Sequence, residues 1–371
     1  VKKIDYLFST RNMAFLSSAV ITTSFTVNGE TLWPSDHWPV VATYAPAVFG
    51  GAHTDAAGTS ASTLTTYNFA DVNGDGKNDK IYWNRTYDSG RPRVYLSNGD
   101  GTFGSVVPHT AGASTLSTTR YYYADVNGDG KADEIVWDPT LHSGHTQVFL
   151  ATTAGNFSAT AIDNPEGTSQ GSTTIFSFAD VNGDGKADKI YWNATFDDGH
   201  TRVYLATSGG SFSGTVVSGA AGASTTAGTL FYYADVNGDG KADEINWHPS
   251  VNSGKPNVYL SNGDGTFTAS ATFTNSGASS ASDATRFSFA DVNGDGRADK
   301  IYWNYGNYLG EPKLYYSQST GFNGPIYSLR GTSQSANTFF YYTDINGDGR
   351  ADQVRWNYAE NSGELRNYFA N

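Results

Sequence analysis

The sequence predicts an all-β chain dominated by a six-bladed β-propeller with strand (velcro) closure. Three observations lead there. An Asp-rich nonapeptide begins at Asp71, Asp125, Asp180, Asp235, Asp291 and Asp344, so it recurs every 53 to 56 residues. Each copy is followed by the same succession of strand-like segments and Gly turns. The 371 residues include 42 Gly and 24 Tyr, a balance that suits short strands joined by turns.

Within one repeat the elements follow in a fixed order. An aromatic strand (Tyr67-Asn68-Phe69-Ala70) enters the loop Asp71–Asp79, and a second strand (Lys80 to Asn84) leaves it. A Gly turn leads to a third strand, Arg93 to Leu96, and the hairpin Asn98-Gly99-Asp100-Gly101 leads to a fourth, Phe103 to Val107. That hairpin loses its acid in other copies and reads as a plain turn. Ile81 and Trp83 alternate with Tyr82, so the second strand has an apolar side for each neighbouring layer. One such blade cannot bury both faces, and the blades must stack in a ring.

Two features set the number at six. The last repeat ends at Asn371 after its third strand, Leu365 to Phe369, while Ala47 to Gly51 resembles a fourth strand. The beginning of the propeller therefore completes its last blade. The repeats also alternate: Phe-Ala-Asp with Lys80, Lys189 or Lys300 in odd copies, and Tyr-Ala-Asp or Tyr-Thr-Asp with Glu134, Glu244 or Gln353 in even ones. Alternation closes without a seam only on an even ring. The Lys and Glu positions are expected to pair across neighbouring blades at the surface, worth about 0–1 kcal/mol.

Each loop offers side-chain oxygens at alternate positions and a backbone carbonyl at the seventh. The expected ligands are Asp71, Asn73, Asp75, Lys77 and Asp79 in the first loop, then Asp125, Asn127, Asp129, Lys131 and Asp133 in the second. Asp180, Asn182, Asp184, Lys186 and Asp188 follow, then Asp235, Asn237, Asp239, Lys241 and Asp243. Asp291, Asn293, Asp295, Arg297 and Asp299, with Asp344, Asn346, Asp348, Arg350 and Asp352, complete the set. Lys and Arg enter through their carbonyls. Three carboxylates in nine residues repel by about 4 kcal/mol per like pair at an effective dielectric near 20. A hard divalent ion removes that cost, and all-oxygen ligation suits Ca²⁺ better than Zn²⁺, or than Mg²⁺, which holds its waters. Six Ca²⁺ would add +12 to the formal charge of −13 and leave about −1. The twelfth position holds Tyr82 or Val136, not the bidentate Glu of an EF-hand.

The repeated Asp-Val-Asn-Gly-Asp-Gly-Lys-Ala-Asp core closely resembles the FG-GAP or VCBS repeat family, over residues 45–371. The resemblance implies Ca²⁺ in these loops, about one ion per blade, a secreted or extracellular location and a binding role.

Residues 1–44 depart from the blade pattern. They carry Lys3-Ile4-Asp5-Tyr6-Leu7-Phe8 and Ser35-Asp36-His37-Trp38-Pro39-Val40, the latter leading into a strand through Tyr44. An Asp beside an Asp-His pair suits proton transfer: one carboxylate orients the imidazole, and the other binds metal or polarises water. These two motifs resemble the C-terminal end of the endonuclease/exonuclease/phosphatase family. The resemblance implies that His37 is the catalytic histidine, Asp5 the acid bonded to it, and Asp36 the neighbouring metal- or water-directing acid. The family's upstream metal-binding Glu has no counterpart here, so this piece is expected to be inactive alone. The resemblance also implies that residues 1–44 are a short N-terminal remnant of an α/β sandwich. Its complete parent would use Mg²⁺ to hydrolyse a phosphoric ester, with the propeller fixed at the far end of that sandwich as a targeting module.

Composition sets further bounds. The chain has no Cys, so no disulfide framework is expected. No stretch reads as a membrane span, and Val1 in place of Met reads as a fragment. Acidity disfavours nucleic acid as a propeller ligand. The leading expectation is a calcium-binding, monomeric targeting module of an exported phosphodiesterase. The alternative is a calcium-dependent lectin or adhesin that binds carbohydrate or another cell-surface ligand.

Overall fold

The computed structural model describes residues 13–20, 25–27, 30–32, 40–46 and 48–371, the last span apart from 110, 219–221, 274–279, 281 and 328–329. Strand Met13–Val20 pairs antiparallel with Val40–Pro46, and Phe25–Val27 pairs with Glu30–Leu32. From residue 49 onward the chain is a β-propeller of six blades. Blade 1 holds Thr65–Ala70, Asp79–Asn84, Arg93–Ser97 and Phe103–Val107, each antiparallel to the next. Blades 2 to 6 begin with Arg120–Ala124, Ile175–Ala179, Leu230–Ala234, Thr285–Ala290 and Thr338–Thr343. The last blade takes its fourth strand from the other end of the propeller. Phe49–Asp55 pairs with Leu365–Ala370, which places Leu365 opposite Asp55 and Ala370 opposite Phe49.

One register repeats around the ring. Ile81 faces Val94, Ile135 faces Val148, Ile190 faces Val203, Ile245 faces Val258 and Ile301 faces Leu314. All ten side chains are buried. The apolar clusters lie between blades: Val126, Ile135 and Trp137 of blade 2 pack with Phe176, Ala187 and Tyr191 of blade 3. Each blade also sets a Trp against an aromatic ring on the first strand of its successor. Ring centroids are 5.0 Å apart for Trp83 and Tyr121, 5.1 Å for Trp137 and Phe176, and 4.9 Å for Trp192 and Phe231. They are 5.3 Å apart for Trp247 and Phe287, then 5.0 Å for both Trp303–Phe340 and Trp356–Tyr67, which closes the circle. Such pairs add about 0.5–1.5 kcal/mol each beyond the area they bury.

The alternating Lys and Glu positions correct the sequence reading. Lys80, Glu134, Lys189, Glu244, Lys300 and Gln353 are fully buried, and among the described residues no hydrogen bond or ion pair joins them to one another. Each instead faces the residue opposite it on the first strand of its own blade. Glu134 lies opposite Tyr123 and accepts its hydroxyl proton at 3.0 Å; Glu244 stands in the same way to Tyr233 at 3.4 Å. Lysines lie opposite Phe69, Phe178 and Phe289, which have no hydroxyl to donate. In blades 1 to 5 the odd–even rhythm is therefore a matched choice: an acceptor with Tyr, an ammonium with Phe. Blade 6 departs from it, since the buried Gln353 amide and the Tyr342 hydroxyl opposite it have no hydrogen-bond partner among the described residues. Lys80 forms a buried ion pair with Asp55 at the end of the closing strand. Lys300 Nζ has no hydrogen-bond partner among the described residues and lies 4.3 Å from the Tyr315 ring centroid.

Two outcomes follow. Asp55→Asn leaves the Lys80 ammonium buried without its counter-charge and is expected to cost about 3–5 kcal/mol in urea unfolding. Burial lowers the Lys300 ammonium to about 7. A base depressed in the folded state stabilises fully above its unfolded value and loses that contribution as pH falls toward the folded one. Lys300→Met should therefore raise the melting temperature more at pH 6 than at pH 10; an equal gain at both would show that the amine is not desolvated.

Candidate functional site

The six Asp loops occupy one face of the ring, between the first and second strands. Their conformation depends on glycine: Gly74 and Gly76 adopt φ of 79° and 81°, and the equivalent pairs in the other loops do the same. The first acid holds the loop by its own amides. Asp71 Oδ1 accepts from the Gly74 N–H at 2.7 Å, and Oδ2 from the Gly76 N–H at 2.8 Å. Asn73 Oδ1 accepts from the Asp75 amide at 2.9 Å, and Asp75 Oδ1 from the Lys77 amide at 3.0 Å. The same bonds recur in the second loop, from Gly128 and Gly130 to Asp125.

Position nine behaves differently. Asp79 is buried, with Oδ2 accepting from Val72 N–H at 3.1 Å and Oδ1 from Ser97 N–H at 2.8 Å. Asp133, Asp188, Asp243, Asp299 and Asp352 each tie the loop to the end of the third strand in the same way. Burial pushes the Asp79 carboxyl up to about 7, against the two amides that hold it down. Among the described residues, no three acidic or histidine side chains converge as a metal-binding group. The donor chemistry fits a hard divalent ion at positions one, three, five and the carbonyl of seven. A cation already stands at position five: Lys77 Nζ lies 2.7 Å from Asp75 Oδ2. Position nine is committed to the backbone.

The opposite face carries the Gly turns between second and third strands. Their Gly is obligatory. A Cβ on Gly90 would lie 2.0 Å from the Ser114 carbonyl oxygen of the next crossover, and φ is 71°. Around this turn blade 1 gathers Tyr87, Asp88 and Arg93. The guanidinium lies 4.4 Å from the Tyr87 ring centroid, and Nε donates to Asp88 at 3.2 Å. Blade 3 repeats the cluster with Phe196, Asp197 and Arg202, at 4.3 Å and 2.8 Å. Tyr87 is 51% and Phe196 47% exposed. The signal was present as Thr-Tyr-Asp-Ser-Gly-Arg-Pro-Arg at residues 86–93 and Thr-Phe-Asp-Asp-Gly-His-Thr-Arg at 195–202. Between blades 5 and 6 a cavity of about 270 Å³ is lined by Arg286, Trp303, Tyr305, Thr338, Phe339 and Phe340. Asp5, Ser35, Asp36 and His37 lie outside the described residues.

The loop geometry separates two roles. In the presence of chelator, Asp79→Ala should destabilise the chain by about 2–4 kcal/mol, because two buried amides lose their acceptor. Asp75→Ala, on the exposed side of the same loop, should cost under about 1 kcal/mol. Equal losses in chemical denaturation would contradict the division.

Comparison with known proteins supports the architecture. A lectin of Agrocybe aegerita, described as recognising non-reducing terminal N-acetylglucosamine, shares 21% identity and a TM-score of 0.54, with 81% of this chain and 75% of that one covered. A component of the Photorhabdus luminescens Tc holotoxin pore gives 17% identity and a TM-score of 0.58, over 89% of this chain but 15% of that one. At these identities the likeness is one of fold. No curated protein matches the sequence. The model of the FG-GAP-like repeat matches residues 71–136, 125–191, 180–245 and 250–302, which together cover more than half of the sequence. The chain belongs to the FG-GAP-like repeat family.

Proposed function

We propose that the propeller is a carbohydrate-binding module whose Asp loops bind calcium. The recurrence of an exposed aromatic ring, a guanidinium and a carboxylate in blades 1 and 3 carries this reading. A pyranose offers an apolar C–H face and a rim of hydroxyls. Tyr87 and Phe196 supply the platform, Arg93 and Arg202 the donors, and Asp88 and Asp197 the acceptors. The lectin neighbour makes terminal N-acetylglucosamine the first sugar to test. Calcium stands behind the site: the ion would be held by Asp71, Asn73, Asp75 and the Lys77 carbonyl, and by their equivalents, and would neutralise the loop acids. A secreted location accords with extracellular modules, which bind Ca²⁺ at about 10⁻⁴–10⁻³ M.

The second reading, a targeting module of a Mg²⁺-dependent phosphodiesterase, draws on one observation. Strand Val40–Pro46, directly after the Ser35–Pro39 motif, lies in an antiparallel pair that precedes the propeller. The two readings are compatible, because a carbohydrate-binding module can target an enzyme.

A glycan array is expected to show binding of glycans with terminal amino sugars. The double variant Tyr87→Ala, Phe196→Ala should lower it at least about tenfold with the melting temperature within about two degrees. Retained binding would move the site elsewhere, and no binding to any glycan would sink the reading. Chelator should lower the melting temperature of the calcium-loaded chain by several degrees; an unchanged melt would count against calcium in the loops.

A further inference from the structure

The six loops are nearly identical in sequence, yet position seven divides them into two groups. In blades 1 to 4 it is Lys, and each ammonium sits on the position-five carboxylate of its own loop. The separations are 2.7 Å for Lys77 and Asp75, 2.9 Å for Lys131 and Asp129, 2.7 Å for Lys186 and Asp184, and 2.6 Å for Lys241 and Asp239. In blades 5 and 6 it is Arg, and the arrangement changes. Arg297 Nε donates to the Asn237 carbonyl of the preceding loop at 3.1 Å. Arg350 lies against Gly294 of the preceding loop, where a Cβ would stand 3.3 Å from its Nε. Asp295 and Asp348 accept instead from the neutral amides of Asn293 at 3.1 Å and Asn346 at 3.3 Å. Among the described residues no cation pairs with either carboxylate.

The stems explain why. Every position-seven side chain crosses onto the preceding loop: a Cβ on Gly74 would meet Lys131 Cγ at 3.1 Å, and one on Gly238 would meet Arg297 Cγ at 3.0 Å. The flexible ammonium is a point charge that can turn back to its own Asp. The guanidinium is a rigid fork; that of Arg297 finds an acceptor in the Asn237 carbonyl of the preceding loop, and that of Arg350 lies against Gly294 of the preceding loop.

We infer that position seven grades the loops for divalent cations, so that calcium fills blades 5 and 6 before blades 1 to 4. The inference rests on the calcium reading above. A dication approaching Asp75 must displace an ammonium already on that carboxylate. At Asp295 and Asp348 it meets an open one. The competing ion pair is solvent-exposed, so the difference is modest, about threefold to fivefold in dissociation constant per loop.

Titration of the chelator-stripped chain with Ca²⁺, in competition with a chromophoric chelator, reads the grading directly. Two tighter and four weaker ions are expected. The quadruple variant Lys77→Arg, Lys131→Arg, Lys186→Arg, Lys241→Arg should bring all six ions into the tighter class. The double variant Arg297→Lys, Arg350→Lys should move all six to the weaker class. Thermal melts identify any variant that fails to fold, and the two-to-four division of the unaltered chain stands as a test without them. Six equal sites, or a division that the exchanges leave in place, would overturn the inference while sparing the calcium reading. No uptake at millimolar Ca²⁺ would overturn both.

Discussion

The ring is held by one backbone hydrogen bond made six times. The carbonyl of the first Asp in each loop accepts the amide of the eighth residue in the next: Asp71 from Ala132, Asp125 from Ala187, Asp180 from Ala242, Asp235 from Ala298 and Asp291 from Ala351. Asp344 accepts from Asn78 at 2.7 Å and returns the circuit to blade 1. Each loop must therefore hold one shape, since any change in it moves both neighbours. This constraint accounts for the economy of the nonapeptide. The first acid binds the loop amides, the glycines permit left-handed backbone, and the ninth acid fastens the loop to the third strand.

Those roles also limit what the loops can offer a ligand. Each Asp at position one already accepts two amides, and each at position nine is buried and fully engaged. The exposed chemistry falls to positions five and seven, where acid and base meet in blades 1 to 4 and stay apart in blades 5 and 6. Repetition thus conserves the frame and leaves variation for its edges. The same division holds on the opposite face. The turn glycines are fixed by close approach to the next crossover, while the side chains around them change from Tyr-Asp-Arg to His, Lys or Glu.

Polar burial gives blades 1 to 5 their two-blade rhythm. A charge at the head of the second strand is tolerated because its cross-strand neighbour is chosen to suit it. Glu134 receives the Tyr123 hydroxyl and the ring of His109 at 3.0 Å, while Lys189 donates to Thr146 Oγ1 at 3.1 Å and lies 4.6 Å from the Phe176 ring centroid. Exchanging Lys for Glu without exchanging Phe for Tyr would remove a donor from the acid, and a buried acceptor lacking its donor costs about 1–3 kcal/mol. In blades 1 to 5 the alternation thus runs through pairs of positions.

The sequence by itself determined the blade count, the strands, the closing segment and the loops, because each depends on local pattern. Alternating apolar residues define strands, Asn-Gly and Gly-Asp define turns, and a missing fourth strand at one end matches a spare one at the other. It also displayed the Lys–Phe and Glu–Tyr rhythm, but not its meaning, since burial depends on what the crossover from the preceding blade covers. Only the tertiary structure decided that Asp79 and its equivalents turn inward to the third strand, that Lys80 meets Asp55, and that Tyr87, Asp88 and Arg93 form one surface cluster. Those contacts join residues separated by strand pairing or by the closure of the ring. The direction of a side chain there is set by neighbours that the linear order does not place beside it.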